Sequence, residues 1–238
     1  MSAYRPVYDR QDVTIVSRDT AFQGFFAIDR IVLRHRLFAG GWSNDFSREL
    51  FRRDQAAGVL LYDPKSDKLV LVEQFRVGML DAMDQSPWAL ELVAGIVDEG
   101  ESAADMARRE VHEESGLEIG PPLFICDYFN SPGGSTERIK LFYAEVDAGQ
   151  AGGIHGLVEE NEDIRVVVMS FDDVWDAFVS GHINNAMAII ALQWLRLRRA
   201  GIDATMSSHE RATAVSGETA MSGETAMSEG TAMSKSLP

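Results

Sequence analysis

The chain is poor in cysteine and has no long apolar run. Its only cysteine, Cys126, stands between large apolar residues, which excludes an intrachain disulfide and a cysteine-held zinc and favours a buried structural thiol over a nucleophile. No stretch reaches the roughly 18 apolar residues of a transmembrane helix, and the N-terminal segment lacks the apolar core of a signal peptide. We therefore expect a cytoplasmic protein that does not associate with membranes.

Basic residues are also scarce. The 238 residues include 22 Lys and Arg against 37 Asp and Glu, which gives a formal net charge of −15. This charge argues against nucleic acid as a partner and favours hard cations, which bind oxygen ligands. With 45% hydrophobic residues, the chain can bury one substantial core and a smaller second unit. We expect a globular protein that binds Mg²⁺.

Three regions differ in pattern. Residues 1–53 alternate in hydrophobicity and predict a small antiparallel sheet, which must pack on the next domain or on a partner subunit. Residues 54–203 predict a domain of strands with one internal helix and two closing helices, the last of which starts at Asn184 or Asn185. Residues 204–238 repeat a short Ser-Gly-Glu-Thr-Ala-Met unit and predict a disordered tail. The strands of the middle domain are predicted at residues 55–63, 68–75, 88–95, 123–129, 138–146 and 164–170.

The internal helix of the middle domain carries the most informative stretch. Ser102 and Asp105 form a capping-box pattern and Gly116 is a stop signal, so the helix is predicted over residues 103–115. On that helix three glutamates share one face and repel each other. These are Glu110, Glu113 and Glu114. A cation is needed to offset their charge.

An acidic stripe of this kind is most often a solvated helix face. Three features favour a metal site instead. A glycine loop precedes the stripe, Arg109 and Glu101 are spaced to pair and hold that loop on the helix, and further acids follow at residues 159–163. A bound divalent ion would keep such a dense cluster ionised.

The spacing of this stretch resembles the complete Nudix box of the Nudix hydrolases. The fixed positions are Gly95, Glu101, Arg109, Glu110, Glu113, Glu114 and Gly116. The resemblance extends from about residue 12 to residue 200 and is strongest to the bacterial ADP-ribose pyrophosphatases, with which the chain shares the segments ELVAG, SPGGSTER, ENEDIRV and NNAMAIIALQWL. Pro132 stands where that subgroup has a proline beyond the box.

The resemblance implies an α+β Nudix fold, an α/β/α sandwich with a mixed central sheet, preceded by the small antiparallel sheet. It also implies hydrolysis of ADP-ribose to AMP and ribose 5-phosphate with Mg²⁺, for which Mn²⁺ could substitute. The implied metal ligands are the Ala94 carbonyl, Glu110, Glu113, Glu114 and Glu162. Glu160 is implied as the general base, although Glu162 and Glu159 are close enough in sequence to compete for that role.

Substrate contacts are implied in the same way. Arg76 would meet the phosphates, unless it forms a surface ion pair, and Glu137 would bind a ribose hydroxyl or support the metal site. Gly133 and Gly134 would let the backbone approach the ligand. The remaining contacts, from the N-terminal sheet, are Arg48 and Glu49, with Phe25 stacked on adenine. The resemblance also implies a homodimer that exchanges this sheet.

Two other functions stay open. A related hydrolase could act on a nucleotide sugar such as GDP-mannose or an ADP-sugar, because base and sugar preference depend on a few pocket residues. A binding module could instead sense ADP-ribose without cleaving it. The complete set of box carboxylates disfavours that second function.

Overall fold

The computed structural model describes residues 4–206, and the side chain of Glu160 lies outside that description. Most of the predicted tail, residues 207–238, lies outside the described residues as well. Its first residues contact the preceding domain: Thr205 accepts a hydrogen bond from Trp194 (3.3 Å), and the Met206 amide donates to the Ile125 carbonyl (2.9 Å). The globular part therefore extends at least to Met206.

The small N-terminal sheet is present as predicted. Its order is β1-β2-β3 with antiparallel pairing throughout, and its strands are β1 (Val13–Gln23), β2 (Ala27–His35) and β3 (Phe46–Arg52). The buried Asp29 carboxylate on β2 ties the strands together, because it accepts from Arg18 (2.7 Å) and lies 3.2 Å from Arg52. The two arginines offset the desolvation cost of this buried carboxylate, and the sheet is too small to be stable without packing on another unit.

A larger sheet forms the centre of the molecule. It is mixed, because β4 and β9 run parallel whereas the other pairs are antiparallel. Its order is β10-β11-β5-β4-β9-β8, with β6 beside β5 and β7 beside β4. The strands are β4 (Ala56–Asp63), β5 (Lys68–Phe75), β6 (Trp88–Glu91), β7 (Val93–Ile96), β8 (Leu123–Phe129), β9 (Arg138–Glu145), β10 (Ile154–His155) and β11 (Ile164–Ser170).

Helices cover both faces of this sheet. They are α1 (Ala103–Ser115), α2 (Phe171–Val179) and α3 (Ala186–Arg199). Side chains of β4 alternate between two cores, since Val59 packs with the α1 side and Leu60 with the α2 and α3 side. The predicted α+β class with a mixed sheet between helical layers is confirmed. Within residues 4–206, no helix is both long and apolar enough to cross a membrane.

One strand prediction was wrong. The segment 88–95 forms two strands, because the chain leaves β5 after Glu91 and joins β4 from Val93 onward. Leu92, which is fully buried, lies at the crossing point. This change of neighbour brings Ala94 and Gly95 next to α1.

The helix caps agree with the sequence in most respects. The Ser102 hydroxyl accepts from the Asp105 amide (3.1 Å), and Gly116 ends α1 with φ 68°. The Asp105 carboxylate accepts from the Ser102 hydroxyl (2.7 Å), whereas a capping box would have it accept from the Ser102 amide. Asn185, one of the two predicted alternatives, caps α3.

Candidate active site

The glycine that opens the box is required by a close approach. Gly95 lies on β7, opposite Ala57 of β4, and the Glu110 side chain lies directly above it. A Cβ atom at residue 95 would lie 2.0 Å from Oε1 of Glu110 and 2.8 Å from its Cγ. Any other residue would displace Glu110, so Gly95 sets where this carboxylate can stand.

Arg109 supplies a positive charge to the acidic face of α1. Its guanidinium donates to Glu101 (3.2 and 3.1 Å), to Glu110 (2.9 Å) and to Glu113 (3.1 Å). The pair between Arg109 and Glu101 therefore forms, and it lowers the pKa of Glu101. Glu101 also accepts from the Asp98 amide (3.3 Å). Arg109 thus fastens the loop before α1 to the helix and offsets part of its charge.

Glu114 lies outside this ion-pair network. Glu114 is 2% exposed, and its carboxylate accepts a hydrogen bond from the Ala94 amide (3.2 Å). Burial raises its pKa to about 8, and the nearby Glu110 adds to the increase. The Ala94 amide and Arg76 oppose the increase without cancelling it. Without a further positive charge, ionised Glu114 is therefore costly.

Glu110 and Glu162 belong to the same electrostatic cluster. Burial raises the pKa of Glu110, Arg109 opposes the increase, and Glu113 and Glu162 add to it. Glu162 also raises the pKa of Glu114. The Glu162 carboxylate accepts from the Leu157 amide (3.3 Å). The loop before β11 therefore carries Glu162 to the box.

These residues fit a hard divalent cation. Every donor is an oxygen, and a cation would lower the raised pKa values of Glu110 and Glu114. Among the described side chains, no three of His, Cys, Asp or Glu already stand together as a ligand set. A bound divalent ion would draw carboxylates of this cluster together, because it attracts each of them. Ligand roles for Glu110, Glu113, Glu114, Glu162 and the Ala94 carbonyl remain predictions.

The choice of general base stays a prediction too. The Glu160 side chain lies outside the described residues, and its backbone ends a single 3₁₀ turn that Asn161 closes with φ 56°. Glu159 is exposed.

Arg76 forms the ion pair that was one of its two predicted alternatives. Its Nε lies 2.6 Å from the Glu91 carboxylate, and its charge also lowers the pKa of Glu114. Arg76 is therefore near enough to Glu114 to act on its charge while it is paired with Glu91. Glu91 was not among the predicted site residues, although it is a lone acid in the apolar strand segment WALELVAG.

Glu137 pairs with residues outside the box. It is 9% exposed, and its carboxylate lies 2.9 Å from Arg53 and accepts from Asn130 (2.6 Å). The space around the α-carbons of Gly133 and Gly134 is open, as a substrate loop requires. The two partners of Glu137 had no distinguishing feature in the sequence.

The predicted residues of the N-terminal sheet are exposed. Phe25 is 87% exposed and contacts Phe26, while Arg48 stacks on Phe46 (4.5 Å) and Glu49 faces solvent. Within the described chain, the contacts of these side chains stay inside the sheet. They are free to contribute to a site only if a ligand or a second subunit reaches them.

Comparison with known proteins agrees with this geometry. The NUDIX domain family matches residues 52–187. The ADP-ribose pyrophosphatase of Escherichia coli (strain K12) is 45% identical over 195 residues, which cover 82% of this chain and 93% of the relative. The GDP-mannose pyrophosphatase of Escherichia coli O1:K1 / APEC is 29% identical over 197 residues, covering 79% and 96%. A crystal structure of an ADP compounds hydrolase has the same fold, with a TM-score of 0.61 at 20% identity and coverage of 82% and 98%.

Proposed function

The chain belongs to the Nudix family, and from that premise we propose that it hydrolyses the pyrophosphate of ADP-ribose to AMP and ribose 5-phosphate with Mg²⁺. The observation that carries the proposal is the position of two box carboxylates against β7: the buried Glu114 accepts from the Ala94 amide, and the partly buried Glu110 lies over Gly95. Burial raises the pKa of both carboxyl groups, which a divalent cation at the box would offset. The 45% identity to an ADP-ribose pyrophosphatase supports the choice of substrate.

Magnesium suits the donor set. All five proposed ligands are oxygens, from Glu110, Glu113, Glu114, Glu162 and the Ala94 carbonyl, and Mg²⁺ prefers such ligands at phosphate sites. When bound, the metal neutralises pyrophosphate oxygens and lowers the pKa of a coordinated water. Mn²⁺ has similar ligand preferences and could replace it.

The chain's own residues orient the metal ligands and the substrate, and they deprotonate the attacking water. Arg109 holds the loop and Glu113 in place, and Gly95 lets Glu110 lie against β7. Glu160 takes the proton of the attacking water, with Glu162 as a metal ligand and as the alternative base. Arg76 binds the phosphates after it exchanges part of its pairing with Glu91 for phosphate oxygens.

Ribose and adenine are bound further from the metal. Glu137 accepts from a ribose hydroxyl beside Gly133 and Gly134, whose surroundings are open. Arg48 and Glu49 reach the substrate and Phe25 stacks on adenine, from the N-terminal sheet of a second subunit.

We propose a homodimer, and the exposed apolar side chains of that sheet support it. The N-terminal unit, residues 1–53, is proposed as a dimerisation unit beside a catalytic domain of residues 54–203. Four apolar side chains of β1 are 43–60% exposed, namely Val13, Ile15, Val16 and Phe22. A second copy would cover them. Mixing inactive Arg48→Ala and Glu114→Gln proteins should restore about a quarter of the sites if the two residues act across subunits, and no restoration would contradict the exchange.

The substrate test is a comparison of ADP-ribose, ADP-glucose and GDP-mannose in excess Mg²⁺. We expect ADP-ribose to have the highest kcat/KM. The weaker similarity to a GDP-mannose pyrophosphatase makes a nucleotide sugar the competing substrate. A preference of tenfold or more for either sugar nucleotide would overturn the assignment, and tight binding of ADP-ribose without AMP release would favour a sensor.

A further inference from the structure

The N-terminal sheet and the loop at residues 131–137 are joined by backbone hydrogen bonds. The Phe51 amide donates to the Gly134 carbonyl (2.8 Å), and the Thr136 amide donates to the Phe51 carbonyl (3.0 Å). Thr136 Oγ1 accepts from the Arg53 amide (2.8 Å) and donates to the Arg53 carbonyl (2.8 Å). The loop that carries Gly133 and Gly134 is therefore fixed to the end of β3 in its own chain.

The Arg53 side chain continues this connection. Its Nη2 lies 2.9 Å from Oε1 of Glu137, and its guanidinium carbon lies 4.2 Å from the centre of the Phe26 ring. On the other side, the Asn130 amide group donates to Oε2 of Glu137 (2.6 Å). Each carboxylate oxygen of Glu137 thus has one donor, and the stacked ring restricts the guanidinium that supplies one of them.

This arrangement orients a carboxylate without filling its capacity to accept hydrogen bonds. A carboxylate has about four acceptor positions, and only two donors contact Glu137 in the described chain. The Arg53 side chain is 28% exposed and that of Glu137 12%, so water screens the pair less than an open surface pair. The neighbouring Arg52 differs, because it pairs with Asp29 inside the N-terminal sheet (3.2 Å).

We propose that Arg53 is a positioning residue for substrate binding, which acts through Glu137. It holds the carboxylate and the 131–137 loop where a ribose hydroxyl can donate to Glu137. The inference rests on the proposed function, and it gives the N-terminal sheet a role in the active site of its own chain. The position of this sheet is thereby coupled to substrate binding through the Arg53–Glu137 ion pair.

Steady-state kinetics with ADP-ribose test the proposal. Arg53→Gln should raise KM about tenfold, the size expected for a lost charge-assisted contact, and leave kcat within about threefold. Arg53→Lys should recover part of the loss, because it keeps the charge. Arg52→Gln is the matched control and should keep the wild-type KM. An unchanged KM in Arg53→Gln, even with a lower melting temperature, would reduce Arg53 to a structural role and overturn the proposal.

A double variant tests whether Arg53 acts through Glu137. If Arg53 acts through Glu137, Arg53→Gln should add nothing to the KM of Glu137→Gln. Multiplying effects in Arg53→Gln/Glu137→Gln would show that the two residues act independently and would contradict the mechanism.

Hydrogen exchange separates this inference from the proposed function. Arg53→Gln should speed exchange at the Thr136 amide, and Arg52→Gln should not. A wild-type protein that fails to hydrolyse ADP-ribose would overturn the proposed function and leave this exchange test in place. Equal exchange rates of the Thr136 amide in Arg53→Gln and Arg52→Gln would overturn the role of Arg53, whatever the substrate is.

Discussion

Gly95→Ala is the most specific perturbation that the site allows. Gly95 is not in the left-handed region, so alanine can adopt its backbone conformation. The added methyl group would instead meet Glu110, at 2.0 Å from Oε1 and 2.2 Å from Cδ. No rotation of the methyl group relieves such a contact, so either the carboxylate or β7 has to move.

The expected cost follows from overpacking. Inserted methyl groups in packed sites cost about 1–3 kcal/mol, and the lower end applies here because only the flexible Glu110 side chain has to move. For a domain of this size, about 1 kcal/mol lowers the melting temperature by about 2–4 °C. Displacement of a proposed ligand should also weaken apparent Mg²⁺ affinity by about tenfold or more, as loss of ligand orientation does in other metal sites. Thermal unfolding and Mg²⁺ titration of ADP-ribose turnover measure the two effects.

A double-mutant cycle shows whether Glu110 causes these effects. Glu110→Ala removes all three atoms nearest the new methyl group, so Gly95→Ala should cost little stability in that background. Gly120→Ala is the matched control, because an added Cβ there meets nothing within 4 Å. Equal destabilisation by Gly95→Ala with and without Glu110, or wild-type Mg²⁺ dependence in Gly95→Ala, would refute the reasoning.

The remaining predictions concern the carboxylates. Glu114→Gln should lower kcat by about a thousandfold or more, since charge stabilisation by the metal contributes several kcal/mol. Its circular dichroism spectrum should stay that of the wild type. Near-normal turnover would refute the metal assignment. Glu160→Gln should slow turnover by about 10² to 10⁴-fold with Mg²⁺ binding retained, and the same result from Glu162→Gln alone would assign the base to Glu162 instead. The pKa of Glu114 is about 8 in the folded protein against 4.5 for an ordinary glutamate, so between these values the metal-free folded state holds the extra proton. Stability without metal should therefore fall as pH rises from about 4.5 to 8, with a smaller slope in Glu114→Gln, and equal slopes would contradict the shifted pKa.

Local signals in the sequence were sufficient for much of the fold. Ser102 and Gly116 bounded α1 because a cap and a left-handed stop act within one helical turn. The strand predicted at residues 68–75 has the same bounds in the structure. The split of residues 88–95 could not be predicted, because it depends on which strand each half pairs with.

The residue types of the site could be predicted from the sequence, whereas most of their ion-pair partners could not. Spacing alone indicated that Arg109 and Glu101 could meet, since both belong to one loop and helix. The partners of Arg76 and Glu137 came from other strands and loops, at sequence distances that no periodicity links. Such contacts are a consequence of the folded sheet.

The most direct test is the Mg²⁺ dependence of product formation from ADP-ribose, followed for the wild type and for Glu114→Gln. The wild type should release AMP and ribose 5-phosphate in equal amounts, only with the metal present, and Glu114→Gln should release almost none. Equal rates in the two proteins, or release that persists in excess chelator, would contradict the assignment of a metal-dependent ADP-ribose pyrophosphatase.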